Sequence, residues 1–432
     1  MSPLRRASSY YEATAHRAAP RPQLRGTLHC DVCVVGGGIA GCSTALHLAE
    51  RGYRVVLLEG ARIGSGASGR SGGQVLVGTA IDSSALAQLI GAQASRAVWD
   101  TSVEGVALLR ALIARYDIRC HWVSGHLQVA MSARQERALQ QELQQLEAHY
   151  HYRSARYLPS SELQMLLATR RYRAALYDSN GGHLHPLNYT LGLAAAAEQQ
   201  GAQLFEDSRA LAYARAGDAA DAARLEVRTG QGRVLCRQLA LCGNTQLGAL
   251  APELARTIMA VGTCIIATAP LGEARARELI ANDAAVADMN WVLDYFRLSA
   301  DHRLLFGGRV TYSGFDPERI AASTRGRMIG VFPQLRHVEV DYAWGGYIDI
   351  TRSRAPHFGR LAPNVYFLQG FSGHGIALAG MAGKLLAEAL AGTAERFDVF
   401  ARIPHRTFPG GPWLRRPALV LAMLYFRLRD LL

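Results

Sequence analysis

Lysine is almost missing from this 432-residue chain: Lys384 is the one lysine among 47 basic residues, so the formal charge of +12 rests on arginine. Those arginines are scattered, and the clustered basic stripe that a nucleic-acid surface needs is absent, which excludes that class of partner. The charge reads as a general surface property with some preference for anionic small molecules. Long apolar runs are lacking too, so no transmembrane helix is expected. The nearest case is the tail "PALVLAMLYFRLRDLL" from Pro417, whose apolar part is about half of a bilayer span. Docking on its own protein is the expected fate of that tail, with peripheral membrane contact as the alternative.

Cysteine is sparse, at positions Cys30, Cys33, Cys42, Cys120, Cys236, Cys242 and Cys264, and its irregular spacing excludes a secreted disulfide framework. Cys30 and Cys33 form a C-x-x-C with no second pair and no histidine cluster, so no metal site is expected. Arg5-Arg6 is not followed by an apolar export region, which leads to the expectation of a cytoplasmic protein. No internal repeat is present. With 49% hydrophobic and 19% charged residues the chain is globular, and its length exceeds one core, so two domains are expected.

What is abundant is glycine, placed with a pattern. In "CDVCVVGGGIAGCSTALHLAERGYRVVLLE" an apolar strand, Val32 to Val35, runs into a glycine turn, a helix from Ile39, and a second apolar run, Val55 to Leu58, ending in Glu59. Gly36, Gly38 and Gly41 fall on G-x-G-x-x-G, with Ile39 and Ala40 between them. In a dinucleotide site the first glycine permits the tight turn, the second lets backbone approach the pyrophosphate, and the third lets helix pack on strand. The anion lies at the helix N-terminus, and Glu59 would accept from the ribose hydroxyls. An acid there argues against a 2′-phosphate and leaves FAD or NAD.

Next comes "GARIGSGASGRSGGQ", Gly60 to Gln74, whose composition suits either a flexible linker or a loop of backbone N–H groups around a cofactor. Its position directly after the ribose acid favours the loop. Helical patterning covers Ser84 to Tyr116 and 132–150, and "SNGGHLHPLN" reads as a glycine turn before a helix from about Leu187. An apolar strand, Gln238 to Cys242, ends in another glycine turn. Between about 250 and 355 alternating β-branched and aromatic residues predict a largely antiparallel sheet with one helix near Asp316 to Phe332. Strand, glycine turn and helix then recur in "NVYFLQGFSGHGIALAGMAGKLLAEALAG".

The glycine fingerprint, "GSGASGRSGGQ" and "GFSGHGIALAGMAGKLLAEAL" resemble, in that order, the FAD-dependent amine and D-amino-acid oxidase superfamily. More narrowly, "SSYYEATA", "GGHLHPLN", "LDYFRLSADHRLLFGG", "FPQLRHVEVDYAWGGYI", "PHFGRL" and "AERFDVFARIPHRTFPGG" are similar to the bacterial γ-glutamylputrescine oxidases. The resemblance implies an α/β fold: a discontinuous Rossmann-like FAD-binding domain of the GR2 type (28–118, 180–246 and 356–400) plus a substrate domain (119–179 and 247–355). Residues 1–27 and 401–432 form terminal segments.

Carried over by motif, Gly36, Gly38, Ile39, Ala40, Gly41, Glu59 and Gly60 would hold adenosine and pyrophosphate, with Arg62 near the adenine. Ser68, Gly69, Arg70, Gly73 and Gln74 would line the flavin. Gly373, His374, Gly375 and Ile376 would open the last cofactor helix, where backbone donors stabilise charge arriving on the flavin. The FAD is expected to be non-covalent, since no cysteine lies in the last motif. Thr351-Arg352-Ser353-Arg354 stands where many superfamily members carry Thr-Pro-Asp, and Lys384 lies too far into the last helix to serve as an oxygen-activating lysine.

The activity implied is oxidation of the primary amine of γ-glutamylputrescine, or a related γ-glutamylated polyamine, to the aldehyde with ammonia and hydrogen peroxide, oxygen being the expected acceptor. Arg70, Arg309, Tyr347 and Arg352 are the candidate catalytic residues. Arg297, Arg354, Tyr295, Tyr312 and Trp344 are further candidates for the substrate wall. The alternatives are a D-amino-acid or glycine-type dehydrogenase with a non-oxygen acceptor, and a non-catalytic flavoprotein.

Overall fold

The computed structural model describes residues 9–17, 19–216, 224–290, 293–311 and 316–409, without the side chains of 309–311. A short helix, α1 (Tyr10–Thr14), is closed by a capping box between Ser9 and Glu12. The fingerprint then folds as the sequence predicts: β1 (Gly26–Val35), α2 (Ile39–Ala49), β2 (Val55–Leu58). Val-Val-Leu-Leu of β2 is buried throughout, the signature of a strand covered on both faces. Every residue of α2 is buried as well.

The glycine-serine loop ends in β3 (Gln74–Val75), and α3 (Ser83–Ile90) and α4 (Ala92–Arg115) follow. Gly91, with a φ of 86°, breaks what reads in sequence as one continuous helix. Then come β4 (Val123–Ala130), α5 (Ala133–Tyr150), β5 (Ala155–Pro159), α6 (Ser160–Leu166) and β6 (Ala174–His183). The chain returns through α7 (Pro186–Gln199), β7 (Gln203–Phe205), β8 (Ala212–Arg215), β9 (Leu225–Arg228) and β10 (Gly232–Leu241). Beyond α8 (Pro252–Ala255) lie β11 (Ile258–Thr268), α9 (Glu273–Leu279), β12 (Ala285–Asp288), β13 (Asp294–Leu298), β14 (Leu304–Thr311), α10 (Pro317–Val331) and β15 (Val340–Thr351). The last unit is β16 (His357–Ala362), β17 (Val365–Gln369), α11 (Gly375–Leu390) and α12 (Glu395–Ala401).

Among the described residues these strands form two sheets. The first runs β16-β17-β10-β1-β2-β7, with β8 and β9 added beside β10. Its centre is parallel, β1 lying between β2 and β10. The second runs β15-β11-β14-β13-β12-β4-β6-β3, with β5 on β6. It is antiparallel except where β12 pairs with β4. The first sheet therefore draws strands from three separate stretches of sequence, and the second from the stretches between them.

One boundary expectation fails. Ser179-Asn180-Gly181-Gly182 is not a turn but the end of β6, because Gly182 pairs with both Ser124 and Val75. A side chain at 182 would overlap the Val123 carbonyl, so the glycine is kept for strand packing.

Helices α2, α7 and α11 fill the core on one face of the first sheet, and Ser43 Oγ of α2 donates to the Gly380 carbonyl of α11 at 2.6 Å. The second sheet packs on α10 around Phe296, which is fully buried, stacked on Phe306 at 5.5 Å and edge-on to Phe332 at 5.2 Å. Removing a ring so enclosed leaves a cavity as well as losing burial, so Phe296→Ala should cost about 3–5 kcal/mol in denaturant unfolding. A loss below about 1 kcal/mol would contradict this core.

Candidate cofactor site

The turn from β1 into α2 leaves no room for side chains. Gly36 has a φ of 110°, and a Cβ on it would lie 2.7 Å from the Cys242 carbonyl at the end of β10. A Cβ on Gly41 would overlap the Gly36 carbonyl oxygen. Backbone is thereby exposed at the N-terminus of α2, whose N-cap Gly38 has no side-chain cap. The Ile39 N–H donates to Ser68 Oγ at 3.0 Å, drawing the glycine-serine loop onto the helix end.

At the tip of β2, Glu59 accepts from Gly37 N–H at 2.7 Å and from Ala61 N–H at 2.8 Å. Burial, with Glu206 nearby, raises its pKa above the usual carboxylate value. Glu206 is itself buried and accepts from Ile63 N–H at 2.8 Å while pairing with Arg62 Nε at 2.7 Å. Arg62 is thus anchored beside the predicted adenine side by an acid that sequence reading passed over.

In the glycine-serine loop, Arg70 donates to the carbonyls of Ser65 (3.1 Å) and Gly345 (3.2 Å) and to Glu12 of α1 (3.2 Å). It braces the loop against β15 and α1. Gln74 Nε2 donates to the Val286 carbonyl at 2.9 Å, tying β3 to β12 across the second sheet.

Arg297 is not a substrate wall. Its buried guanidinium donates to the carbonyls of Gly72, Leu184 and Leu298 and to Tyr11 Oη, within 2.8–3.0 Å. Trp344 is likewise taken up internally, packing edge-on against Tyr11 and donating to the Arg70 carbonyl at 3.1 Å. Tyr295 is filled in between Gly72 and Gly307, where added side chains would meet its ring. Tyr347 is 42% exposed on β15, and Arg352, also exposed, reaches the Thr407 carbonyl at 3.4 Å. The Arg309 side chain, Tyr312 and the apolar tail lie outside the described residues. Lys384 pairs with Glu104 of α4 at 2.9 Å. All seven cysteines are buried thiols, and no metal-binding group of three ligands occurs among the described residues. No single helix there is long and apolar enough to cross a membrane.

The last motif is shaped by Asp349 of β15, a residue whose only sequence signal is an acid inside an aromatic, apolar strand. Its buried carboxylate accepts from the N–H groups of Gly370 and Phe371, and its carbonyl accepts from Ser372 N–H at 3.0 Å. Ser372 is held at a φ of 53°, and the chain then enters α11 with N-cap His374 and no side-chain cap. The first N–H groups of that helix are open to a ligand. The His374 Nδ1 is buried without a hydrogen-bond partner.

A family model described as FAD dependent oxidoreductase (DAO) matches residues 31–389. The chain belongs to this family. The flavoenzyme is 42% identical to the gamma-glutamylputrescine oxidoreductase of Escherichia coli (strain K12), over 98% of each chain. It is 37% identical to the probable oxidoreductase OrdL of Haemophilus influenzae, over 98% of this chain and 97% of that one. Among solved structures it resembles glycine oxidase from Bacillus cereus, with a TM-score of 0.69 at 21% identity over 88% and 99% of the two chains. L-amino acid deaminase from Proteus vulgaris gives 0.71 at 18% identity over 87% and 94%. At those identities the likeness concerns fold. FAD is the cofactor of the family, and this chain fits it: an acid at the end of β2 beside the glycine turn, two helix N-termini whose N-cap residues make no side-chain cap, and an unpartnered histidine nitrogen at one of them.

Burial pushes Asp349 up to about 6 from an ordinary 3.8. Its charge therefore costs the folded state above pH 6, and the cost vanishes below pH 3.8, where both states are protonated. Asp349→Asn keeps an acceptor for the two amides and removes that charge. The variant should gain on the parent protein in unfolding free energy as pH rises from 4 to 7. A difference that is flat with pH, or runs the other way, would refute the assignment.

Proposed function

We propose that this flavoenzyme oxidises the primary amine of γ-glutamylputrescine, or of a closely related γ-glutamylated polyamine, with oxygen as acceptor. The observation that carries the reading is the 42% identity, end to end, with a relative named for that substrate. Bound FAD would supply the two-electron acceptor for the carbon bearing the amine, and the imine so produced would hydrolyse to aldehyde and ammonia. The turn at Gly36–Gly41 with Glu59 and Gly60 holds the adenosine and pyrophosphate, and Arg62 borders the adenine. Ser68, Gly69, Arg70, Gly73 and Gln74 support the flavin non-covalently. Gly373, His374, Gly375 and Ile376 open α11, with the His374 N–H already taken by the Phe371 carbonyl at 3.0 Å, and the helix N-terminus would favour negative charge developing on a flavin bound there.

Charge chemistry supports the substrate. Free putrescine carries two ammonium groups, and a site for it would call for carboxylates at the end distal to the reacting amine. γ-Glutamylation exchanges one ammonium for an amide and adds an amino-acid carboxylate, for which guanidinium is the matched partner. Arg309, Arg352 and Arg354 are the arginines proposed for that end, with Tyr347 beside the polymethylene chain. The substrate amine loses its proton before transfer, aided by a desolvated pocket, so no dedicated base is required.

The test is a comparison of kcat/KM. The value for γ-glutamylputrescine should exceed that for putrescine by at least about a hundredfold, the factor expected for a charge-assisted contact of roughly 3 kcal/mol. Hydrogen peroxide should accumulate in air in step with aldehyde. Equal rates on the two amines, preference for a D-amino acid, or aldehyde without peroxide would each overturn the corresponding part.

A further inference from the structure

His126 lies on β4, where the second sheet meets both cofactor motifs. It is 8% exposed, and its Nε2 has no hydrogen-bond partner. Its surroundings locate it. A side chain on Gly181 of β6 would meet the His126 Cβ at 3.0 Å and the Val75 carbonyl at 3.2 Å, so His126 stands beside the end of the glycine-serine loop. His374, at the N-cap of α11, and His183 are the titratable groups that face it electrostatically. Glycine at 181 leaves the imidazole space on the loop side.

The neighbouring His183 is fully buried and has its Nε2 2.7 Å from the Asp283 carbonyl, while its Nδ1, like His126 Nε2, has no partner. A buried polar nitrogen left without a partner typically costs about 1–3 kcal/mol. Burial also keeps His126 down at about 3, so it is a neutral imidazole throughout the physiological range, with one donor and one acceptor nitrogen. Between a loop and a helix N-terminus that both belong to the cofactor, the missing partner is a group on the cofactor.

We propose that His126 Nε2 hydrogen-bonds the polar edge of the bound flavin, the edge that carries its ring carbonyls and ring N–H. The assignment rests on the cofactor placement given under the proposed function. His126 is thereby a cofactor-contacting residue that no glycine motif points to.

A purely structural histidine and a cofactor ligand respond to substitution with opposite signs. Replacing an unpartnered buried imidazole by leucine should leave the flavin-free protein as stable or more stable. If His126 bonds the flavin, His126→Leu should also release FAD about tenfold more readily, read as flavin fluorescence appearing on dilution of the holoenzyme. The visible flavin absorption should shift, and His126→Gln should restore part of both effects. Unchanged FAD release and spectrum in His126→Leu would overturn the proposal, as would an effect confined to KM for the amine. Parent protein that carries no FAD would overturn the underlying placement instead, which keeps the two failures distinct.

Discussion

One buried guanidinium joins the parts of this site. Arg297 of β13 donates to three other segments at once, Gly72 in the glycine-serine loop, Leu184 at the exit of β6 and Tyr11 in α1, and to Leu298 of its own strand. A buried charge without such partners is strongly destabilising. Here backbone carbonyls and a phenol satisfy it, and the Tyr11 ring lies 5.7 Å from its centre. The glycine-serine loop is therefore tied to the second sheet. Through Tyr11, and through the Glu12–Arg70 pair, the N-terminal helix becomes part of the same support.

The first glycine turn is fixed differently, by the absence of atoms. Gly36 and Gly41 let β1, α2 and the end of β10 approach until backbone touches backbone. Helix α11 is drawn equally close to α2, since a side chain on Gly383 would meet the Thr44 nitrogen at 2.6 Å. The two helices are thus packed against each other. At each of the two turns a carboxylate accepts backbone N–H groups: the half-buried Glu59 at the first, the buried Asp349 at the second. The same local solution, an acid folding a glycine turn around itself, is used at both turns.

Signals contained within one stretch of sequence carry into the structure more fully than those that depend on distant partners, although Gly91 interrupts a locally helical pattern. The spacing of Gly36, Gly38, Gly41 and Glu59 is contained in one strand-turn-helix-strand unit, so its meaning survives without tertiary information. Helices α5, α7 and α10 likewise follow from periodicity and caps. Gly181-Gly182 resembles a turn because the strand that pairs with it, β4, lies far earlier in the chain. Arg297 and Trp344 resemble substrate residues by composition, and their partners at Tyr11, Gly72 and Arg70 are distant in sequence. Asp349, Glu206 and His126 stand in apolar surroundings with no motif, and only burial against specific backbone groups reveals them.

In the cofactor placement proposed above, Arg297 fixes the flavin half of the site while the glycine turn fixes the adenosine half. The direct measurement is the affinity of Arg297→Lys for FAD and for ADP, compared with the parent protein. Lysine cannot reproduce the fork of donors. FAD affinity should fall at least about tenfold, about 1.4 kcal/mol, while ADP affinity stays unchanged. Equal losses for both ligands, or no loss for FAD, would contradict the account.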